Sequence, residues 1–176
     1  MPHPATTTDP SPPAGRPGIT RGEDAEALLQ GPLGAYLLAE GDRTGGAASV
    51  VLHTLAPRAL GAPVHTHRHE DEYSYVLAGR VGVELDGTTI VAGPGDLVTK
   101  PRGVPHAFFN PGDEPARLLE VITPAGFERY FSRLAELFSG AGPAPDALVA
   151  LAADFGLDVD PTSVPRLAEQ HGLALP

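Results

Sequence analysis

Three histidines and one glutamate, in two separate segments of the chain, have the types and spacing to bind a metal ion. His65 and His67 form a His-x-His pair, Glu72 follows after four intervening residues, and His106 stands 39 positions after His67. Neutral imidazole and carboxylate groups suit Mn, Fe, Co, Ni, Cu and Zn. Such a ligand set leaves one or two coordination positions open, as a catalytic metal needs. Spacing alone leaves open that the His-x-His pair lies on a solvated loop instead.

The glycines and prolines around these four residues favour a metal site over a solvated loop. Residues 65–79 read H-x-H-x4-E-x6-G, and residues 95–110 read G-x5-P-x-G-x2-H-x3-N. Pro101 and Gly103 predict a tight turn that aims His106 inward. If the first segment is extended, its two histidines point to the same side, because strand side chains alternate between faces. The two segments can therefore converge on one site.

Short β-strands are the elements that must position these residues. Apolar or alternating runs bounded by turn residues predict strands at residues 35–39, 48–55, 73–77, 81–85, 88–91, 97–99, 107–109 and 117–122. Asp86-Gly87 is a hairpin turn signal, and residues 57–63 are interpreted as a loop. This regular spacing favours an all-β sandwich or barrel.

The segments that flank the strands have other patterns. Residues 1–18 are rich in Pro, Thr, Ser and Gly and are predicted to be disordered. Thr20 and Glu23 could form the capping box of a short helix through Leu29, although a loop into the first strand fits equally well. We divide the chain into a disordered segment 1–18, a β-barrel domain 19–123 and a C-terminal helical extension 124–176.

Apolar stripes at helical spacing predict three helices in the C-terminal extension. Thr123 could cap the first, with Pro124 at its first position and Gly140 after its end. The others are predicted at residues 146–155 and 164–171. We interpret the stripes as packing on the outside of the barrel, or on a second subunit, rather than as a cofactor site.

Composition excludes several classes of function. The chain has 176 residues, about one domain, and contains no cysteine, which excludes disulfides and thiolate metal sites. Its net charge is −10 and Lys100 is its only lysine, so the basic footprint of a nucleic-acid-binding protein is missing. It has neither the apolar run of a membrane span nor the pattern of a secretory signal. We expect a cytoplasmic protein with a small-molecule substrate and no nucleic-acid or membrane partner.

The two histidine-containing segments resemble the two signature motifs of the cupin superfamily. The matched positions are His65, His67, Glu72 and Gly79 in the first motif, and Gly95, Pro101, Gly103, His106 and Asn110 in the second. The first motif departs at its leading glycine, where this chain has Ala59. The 15 residues between the motifs are typical of single-domain microbial cupins. The resemblance covers roughly residues 34–123. It implies a jelly-roll β-barrel, a metal held by His65, His67, Glu72 and His106, and a homodimer.

The surroundings of the motifs resemble small bacterial cupins described as quercetin dioxygenase-like. The resemblance lies in Thr44-Gly45-Gly46-Ala47, in His-x-His-Arg-x-Glu-Asp-Glu at residues 65–72, and in residues 123–128. It implies that Glu72 is both a metal ligand and the catalytic base that takes the substrate proton before O2 reacts. We therefore predict a metal-dependent oxygenase acting on a phenolic or enolisable small molecule. The alternatives are a non-oxidative isomerase, cyclase or lyase, and a small-molecule-binding cupin without catalysis.

Other residues near the motifs are predicted to have secondary roles. His69 is interpreted as a loop or rim residue, with metal ligation or support of a ligand as the alternative. Glu70 and Asp71 are predicted to be solvated, because consecutive residues cannot all face the metal. The side chains that could line a pocket by strand parity are Ser74, Val76 and Phe108. Asn110 is predicted to hold a turn, and His3, His53 and His171 to be surface or structural residues.

Overall fold

The structure, a computed structural model, describes residues 15, 17–139 and 144–174. Its strands are β1 (Glu26–Leu29), β2 (Leu33–Ala39), β3 (Ser49–Leu55), β4 (Leu60–His67), β5 (Asp71–Ala78), β6 (Val81–Leu85), β7 (Thr88–Ala92), β8 (Leu97–Lys100), β9 (His106–Phe109), β10 (Ala116–Thr123) and β11 (Leu157–Asp160). Its α-helices are α1 (Glu128–Phe138), α2 (Pro145–Asp154) and α3 (Ser163–His171). Most of the segment 1–18, predicted to be disordered, lies outside the described residues.

The strands form two antiparallel sheets with a jelly-roll order. One sheet has the order β1-β2-β3-β10-β5-β8, and the other has the order β11-β4-β9-β6-β7. Side chains alternate between the two faces of each strand, so every second residue of β3 and of β10 is buried. Helix α1 contacts β1 and α3 contacts β4. The predicted all-β jelly roll with external C-terminal helices is therefore confirmed.

The interior has two apolar clusters with a polar layer between them. Leu55 and Leu118 belong to one cluster, and Val51 and Ile122 to the other. His53 lies between the two cluster residues of β3, and Glu120 lies between the two of β10, with the register pairing Glu120 with Val51 and His53 with Leu118. A polar side chain in such a layer must find a hydrogen-bond partner, because burial without one is costly. The layer therefore contains the buried polar side chains that could take part in chemistry.

Two segments on the N-terminal side of the motifs differ from their predicted structure. The segment through Leu29, for which a helix and a loop were the two alternatives, is a short 3-10 turn at Gly22–Asp24 followed by strand β1, whose Leu28 is buried in the core. The predicted loop 57–63 is already strand from Leu60, paired with β9. Gly61 permits this pairing, because a Cβ there would lie 2.4 Å from the Phe108 ring. Pro63 is accommodated where the β4–β9 register shifts.

The C-terminal helices occur near their predicted positions, with one change and one addition. Strand β10 continues to Thr123, whose Oγ1 donates to the Ala47 carbonyl 2.7 Å away instead of capping a helix. Helix α1 therefore begins only at Glu128. Strand β11 was not predicted, although Leu157 and Val159 alternate with aspartates, because four residues are too few to separate a strand from a turn. Within the described residues, no helix has the length and apolar character needed to cross a membrane.

Gly79, the last residue of the first motif, connects β5 to β6 with a φ of 71°. A Cβ there would lie 2.6 Å from the carbonyl oxygen of Pro115, which is backbone and cannot easily move. We expect Gly79→Ala to lower the free energy of unfolding by more than the about 1–2 kcal/mol that left-handed backbone costs. The matched control is Gly87→Ala, with a φ of 76° and nothing within 4 Å of the added Cβ. Urea unfolding measures both variants, and equal losses would contradict the clash.

Candidate metal centre

The two sheets bring the four predicted ligands together. His65 and His67 lie on β4, His106 on β9 and Glu72 on β5. His65 is directly opposite His106 in the β4–β9 pair, whereas Glu72 belongs to the other sheet. One ligand atom from each residue lies within 4.8 Å of the other three, and all four residues are buried. The predicted convergence in space is present, and metal binding by this cluster remains a prediction.

Backbone carbonyl groups orient two of the imidazole rings. The Nδ1 atom of His65 lies 2.8 Å from the Pro63 oxygen, and that of His106 lies 2.9 Å from the Val104 oxygen. Because a carbonyl oxygen only accepts hydrogen bonds, each Nδ1 carries the proton and donates it. In the neutral ring, Nε2 is then free to bind a metal. The turn before His106 is held by Gly103, whose N–H donates to the His67 carbonyl 2.8 Å away.

The third imidazole, His67, gives the strongest structural indication that this cluster binds a cation. Its Nδ1 lies 3.3 Å from Glu70 Oε2, so Glu70 can fix the ring in the same way. Its Nε2 lies 3.4 Å from Glu72 Oε1 but is fully buried without a hydrogen-bond partner. A buried polar atom of this kind needs an explanation. The prediction that Glu70 is solvated is wrong, since only 9% of the residue is exposed.

Distances and donor types both fit one first-row divalent metal. Nitrogen and oxygen ligands about 2.0–2.2 Å from one ion lie about 3–4 Å apart. The 3.4 Å separation between His67 Nε2 and Glu72 Oε1 agrees with this. Three imidazoles and one carboxylate form a ligand set for Mn, Fe, Co, Ni, Cu or Zn.

A buried lysine supports the cluster from one side, and sequence reasoning missed it. Lys100 Nζ lies 2.8 Å from Glu72 Oε2 and 3.0 Å from Glu120 Oε2. Ser74, whose inward direction was predicted, donates to Glu120 Oε2 at 2.7 Å instead of facing an open pocket. A signal was present, because Lys100 shares the parity of buried Val98 and Glu120 stands between buried Leu118 and Ile122.

Burial and neighbouring charges set the ionisation of these groups. Burial would raise the pKa of Glu72, but the charge of Lys100 and hydrogen bonding hold that pKa well below its ordinary value. Burial would lower the pKa of Lys100, but the charges of Glu120 and Glu72 raise it. Burial raises the pKa of Glu120 to about 7, against the opposing charge of Lys100. Burial, reinforced by the neighbouring histidines, lowers the pKa of His65 to about 3. At neutral pH Glu72 is therefore a carboxylate and His65 is neutral.

The remaining predicted neighbours lie around this centre. His69 is exposed and lies outside the four-residue cluster, next to Gly156. Asp71 forms an ion pair with Arg102 at 2.7 Å. The amide of Asn110 donates to the carbonyl groups of Ala56 and Glu114 and so holds a turn, as predicted. Val76 and Phe108 are core residues of the apolar cluster below the polar layer, His171 stacks on Phe109, and His3 lies outside the described residues.

The C-terminal extension covers the cluster of His65, His67, Glu72 and His106 on its other side. Strand β11 pairs with β4 and places Leu157 opposite His67. The Phe127 ring contacts the His67 ring with centroids 4.4 Å apart, and it also contacts Tyr130 and Phe155. This aromatic group separates the four polar residues from bulk water.

His53 belongs to the polar layer but serves the fold. Burial lowers its pKa to about 4, and its Nδ1 lies 3.1 Å from the Gly34 carbonyl oxygen. Between pH 4 and 6.5 the unfolded chain binds a proton at this residue that the folded protein does not bind. The contribution of neutral His53 to the free energy of unfolding is therefore fully present above about pH 6.5. It falls by about 3 kcal/mol as the pH decreases to about 4.

The variant His53→Asn keeps an amide donor near Gly34 but cannot titrate. We expect its free energy of unfolding, measured in urea from pH 4 to 7, to depend less steeply on pH than that of the unmodified protein. Exposed His69 provides the control, and His69→Asn should preserve the original slope. An unchanged slope in His53→Asn would contradict a neutral buried His53.

Comparisons with known proteins agree with this geometry. Residues 51–122 match the model of the cupin domain family. The chain is 37% identical over 60 residues to polyketide synthase CurC of Streptomyces cyaneus, which is 34% of this chain and 39% of that protein. It is 30% identical over 92 residues to quercetin 2,3-dioxygenase of Bacillus subtilis (strain 168), which is 52% of this chain and 27% of that protein. The matches thus span less than half the length of these curated relatives.

A solved structure extends the likeness to three dimensions. A sugar phosphate isomerase of the cupin superfamily from Silicibacter pomeroyi matches with a TM-score of 0.52 and 27% identity, over 61% of this chain and 75% of the other. The family match includes β4, β5 and β9, the strands that carry the four clustered residues. Since sequence motifs, strand order and family match coincide over the same residues, we conclude that residues 51–122 belong to the cupin domain family.

Proposed function

We propose that this cupin is a metal-dependent, quercetinase-like oxygenase that acts with O2 on a phenolic or enolisable small molecule. The observation that carries the proposal is the buried cluster of His65, His67, Glu72 and His106, together with the unpartnered Nε2 of His67. The similarity to quercetin 2,3-dioxygenase over 92 residues supports the choice of reaction. The four residues would hold one divalent metal, which when bound supplies a Lewis acid for an oxygen anion and a site for O2 chemistry.

The ionisation of Glu72 is suited to an acidic substrate hydroxyl. Lys100 and the surrounding hydrogen bonds keep Glu72 deprotonated at neutral pH, so it can accept a proton. A carboxylate with a depressed pKa is a weak base, and it takes protons efficiently only from an acidic group. A phenol or enol meets this requirement better than an aliphatic alcohol. We therefore assign Glu72 the roles of ligand and base.

The apolar surroundings would protect such a reaction from water. Phe127 packs on His67 from the C-terminal extension, and the apolar cluster containing Phe108 closes the opposite side of the polar layer. Exclusion of water strengthens the electrostatic interactions inside a site and prevents side reactions. An aromatic substrate would also find compatible contacts there.

One observation favours a second candidate function, a non-oxidative isomerase, cyclase or lyase. The solved structure with 27% identity is a sugar phosphate isomerase, and the same four ligands could serve a metal that acts only as a Lewis acid. A third candidate is a cupin that binds a small molecule without catalysis.

Oxygen dependence separates these candidates. The metal-loaded protein is mixed with a flavonol or a catechol, and O2 consumption and product mass are followed in air and under argon. We expect O2 uptake that matches substrate loss, no turnover under argon, and loss of turnover in the isosteric variant Glu72→Gln. Turnover that persists under argon would favour the Lewis-acid reaction, and binding without any product would favour the binding protein.

We also propose that the protein is a cytoplasmic homodimer joined through the outer face of the six-stranded sheet. Tyr75 and Leu97 are neighbours across the β5–β8 pair and are 42% and 60% exposed, with Leu77 close by at 43%. An apolar patch of this kind can meet its own copy about a two-fold axis. Sedimentation analysis of the unmodified protein should give a dimer and that of Leu97→Asp a monomer. A monomeric unmodified protein would exclude this interface.

A further inference from the structure

A chain of buried polar contacts links the candidate ligand Glu72 to residues outside the ligand set. Lys100 Nζ donates to Glu72 Oε2 at 2.8 Å and to Glu120 Oε2 at 3.0 Å, and Ser74 Oγ donates to the same Glu120 oxygen at 2.7 Å. Lys100 and Glu120 are each only 1% exposed. Burying an ammonium group costs several kcal/mol before its partners compensate. A lysine in this position therefore calls for a role beyond packing.

The strand register makes this network rigid. In the six-stranded sheet, Glu72 of β5 is opposite Lys100 of β8, and Ser74 of β5 is opposite Glu120 of β10. Lys100 thus extends over β5, the central strand of the three, to reach Glu120 on the far side. All four side chains are anchored on sheet positions rather than on loops, which favours precise placement of a site.

The two oxygens of Glu72 consequently have different surroundings. Oε2 accepts the hydrogen bond from Lys100 and lies 3.2 Å from His106 Nε2. Oε1 lies 3.4 Å from His67 Nε2, the buried nitrogen without a hydrogen-bond partner. With Oε2 held by an ammonium group, the carboxylate cannot rotate freely, and Oε1 is the oxygen that remains available toward His67.

We propose that Lys100, held in place by Glu120 and Ser74, is a positioning residue that fixes Glu72 as a metal ligand through the single oxygen Oε1. The proposal rests on the metal site proposed above and assigns a role to residues outside the four ligands. Hydrogen-bonded partners of ligating carboxylates tune metal affinity by about 10–100-fold. Lys100 would be the hydrogen-bonded partner that orients Glu72. Glu120, which accepts hydrogen bonds from Lys100 and Ser74, would in turn hold Lys100 in place.

The test uses Co²⁺ added to the metal-free protein, with affinity measured by chelator competition and geometry by visible absorption. We expect Lys100→Met to lose about 10–100-fold in Co²⁺ affinity and to change the absorption spectrum. Because Lys100→Met leaves Glu120 buried without its cation, the double variant Lys100→Met/Glu120→Gln is measured as well. It restores charge balance, so it should fold, but it should show the same loss of affinity.

The control is Arg166→Met, which removes the partner of another buried carboxylate, Glu84, at 2.7 Å; neither residue belongs to the four-residue cluster. Its Co²⁺ affinity and spectrum should be unchanged. Co²⁺ affinity and spectrum equal to those of the unmodified protein in the double variant would overturn the role of Lys100. Failure of the unmodified protein to bind Co²⁺ would instead overturn the metal site itself, and with it this proposal.

Discussion

Replacing His106 by alanine is expected to abolish metal binding or to weaken it severely. His106 is the one clustered residue on β9, and its Nε2 lies 3.2 Å from Glu72 Oε2. It is the one residue of the four that the second motif supplies, so its removal leaves that motif without a ligand. The loss should exceed the about 10–100-fold change that follows removal of a residue supporting a ligand. Metal stoichiometry after equilibration with one equivalent of Zn²⁺ or Co²⁺ measures it.

His69→Ala is the matched control for this experiment. His69 belongs to the same His-x-His-x-His run as His65 and His67, but it is exposed and lies outside the cluster. We expect this variant to retain about one metal ion per chain. Full metal occupancy in His106→Ala would contradict the assigned ligand set, and metal loss in His69→Ala would require His69 in it.

Removing the charge of Lys100 is expected to give the largest loss of stability. Breaking a buried ion pair by deleting one partner typically costs about 3–5 kcal/mol, because the other partner stays buried and charged. In Lys100→Met both Glu72 and Glu120 would lose this buried cation. The free energy of unfolding should be measured in urea at pH 8, where Glu120 of the unmodified protein, whose pKa is raised to about 7, is mostly ionised.

The double variant Lys100→Met/Glu120→Gln should recover much of that loss. It removes one buried cation and one buried anion together, and such replacements are often neutral or stabilising. The unmodified protein and the two variants are compared without metal, so that metal binding does not alter the result. A Lys100→Met protein as stable as the unmodified one would contradict a functioning ion pair, and so would a double variant less stable than the single one.

The sequence predicted the parts of the molecule that follow from local patterns. Alternating apolar residues with Gly and Pro turns predicted the two sheets of short strands, and the fold is confirmed. The resemblance of the two motifs to those of cupins predicted which four side chains would converge, and the turn at Pro101 and Gly103 is a local consequence of those residues. The pairing of β4 with β9 joins distant segments and was not predicted. The helical stripes likewise predicted α1, α2 and α3 close to their observed bounds.

The remaining features depend on contacts between distant segments. Strand β1 exists because Leu28 packs into the core against the C-terminal extension, which overrides the apparent capping signal of Thr20 and Glu23. Strand β11 exists because it pairs with β4, more than 80 residues earlier in the chain. The contact between Lys100 and Glu120 spans 20 residues and depends on β8 and β10 flanking the same strand. Parity alone could not predict that arrangement.

The most direct test of the metal centre is elemental analysis of the unmodified protein, purified without added metal and without nickel resin. We predict about one Mn, Fe, Co, Ni, Cu or Zn ion per chain, bound by the four buried ligands. A protein that contains no such metal, and takes up none when each is supplied at neutral pH, would contradict the account.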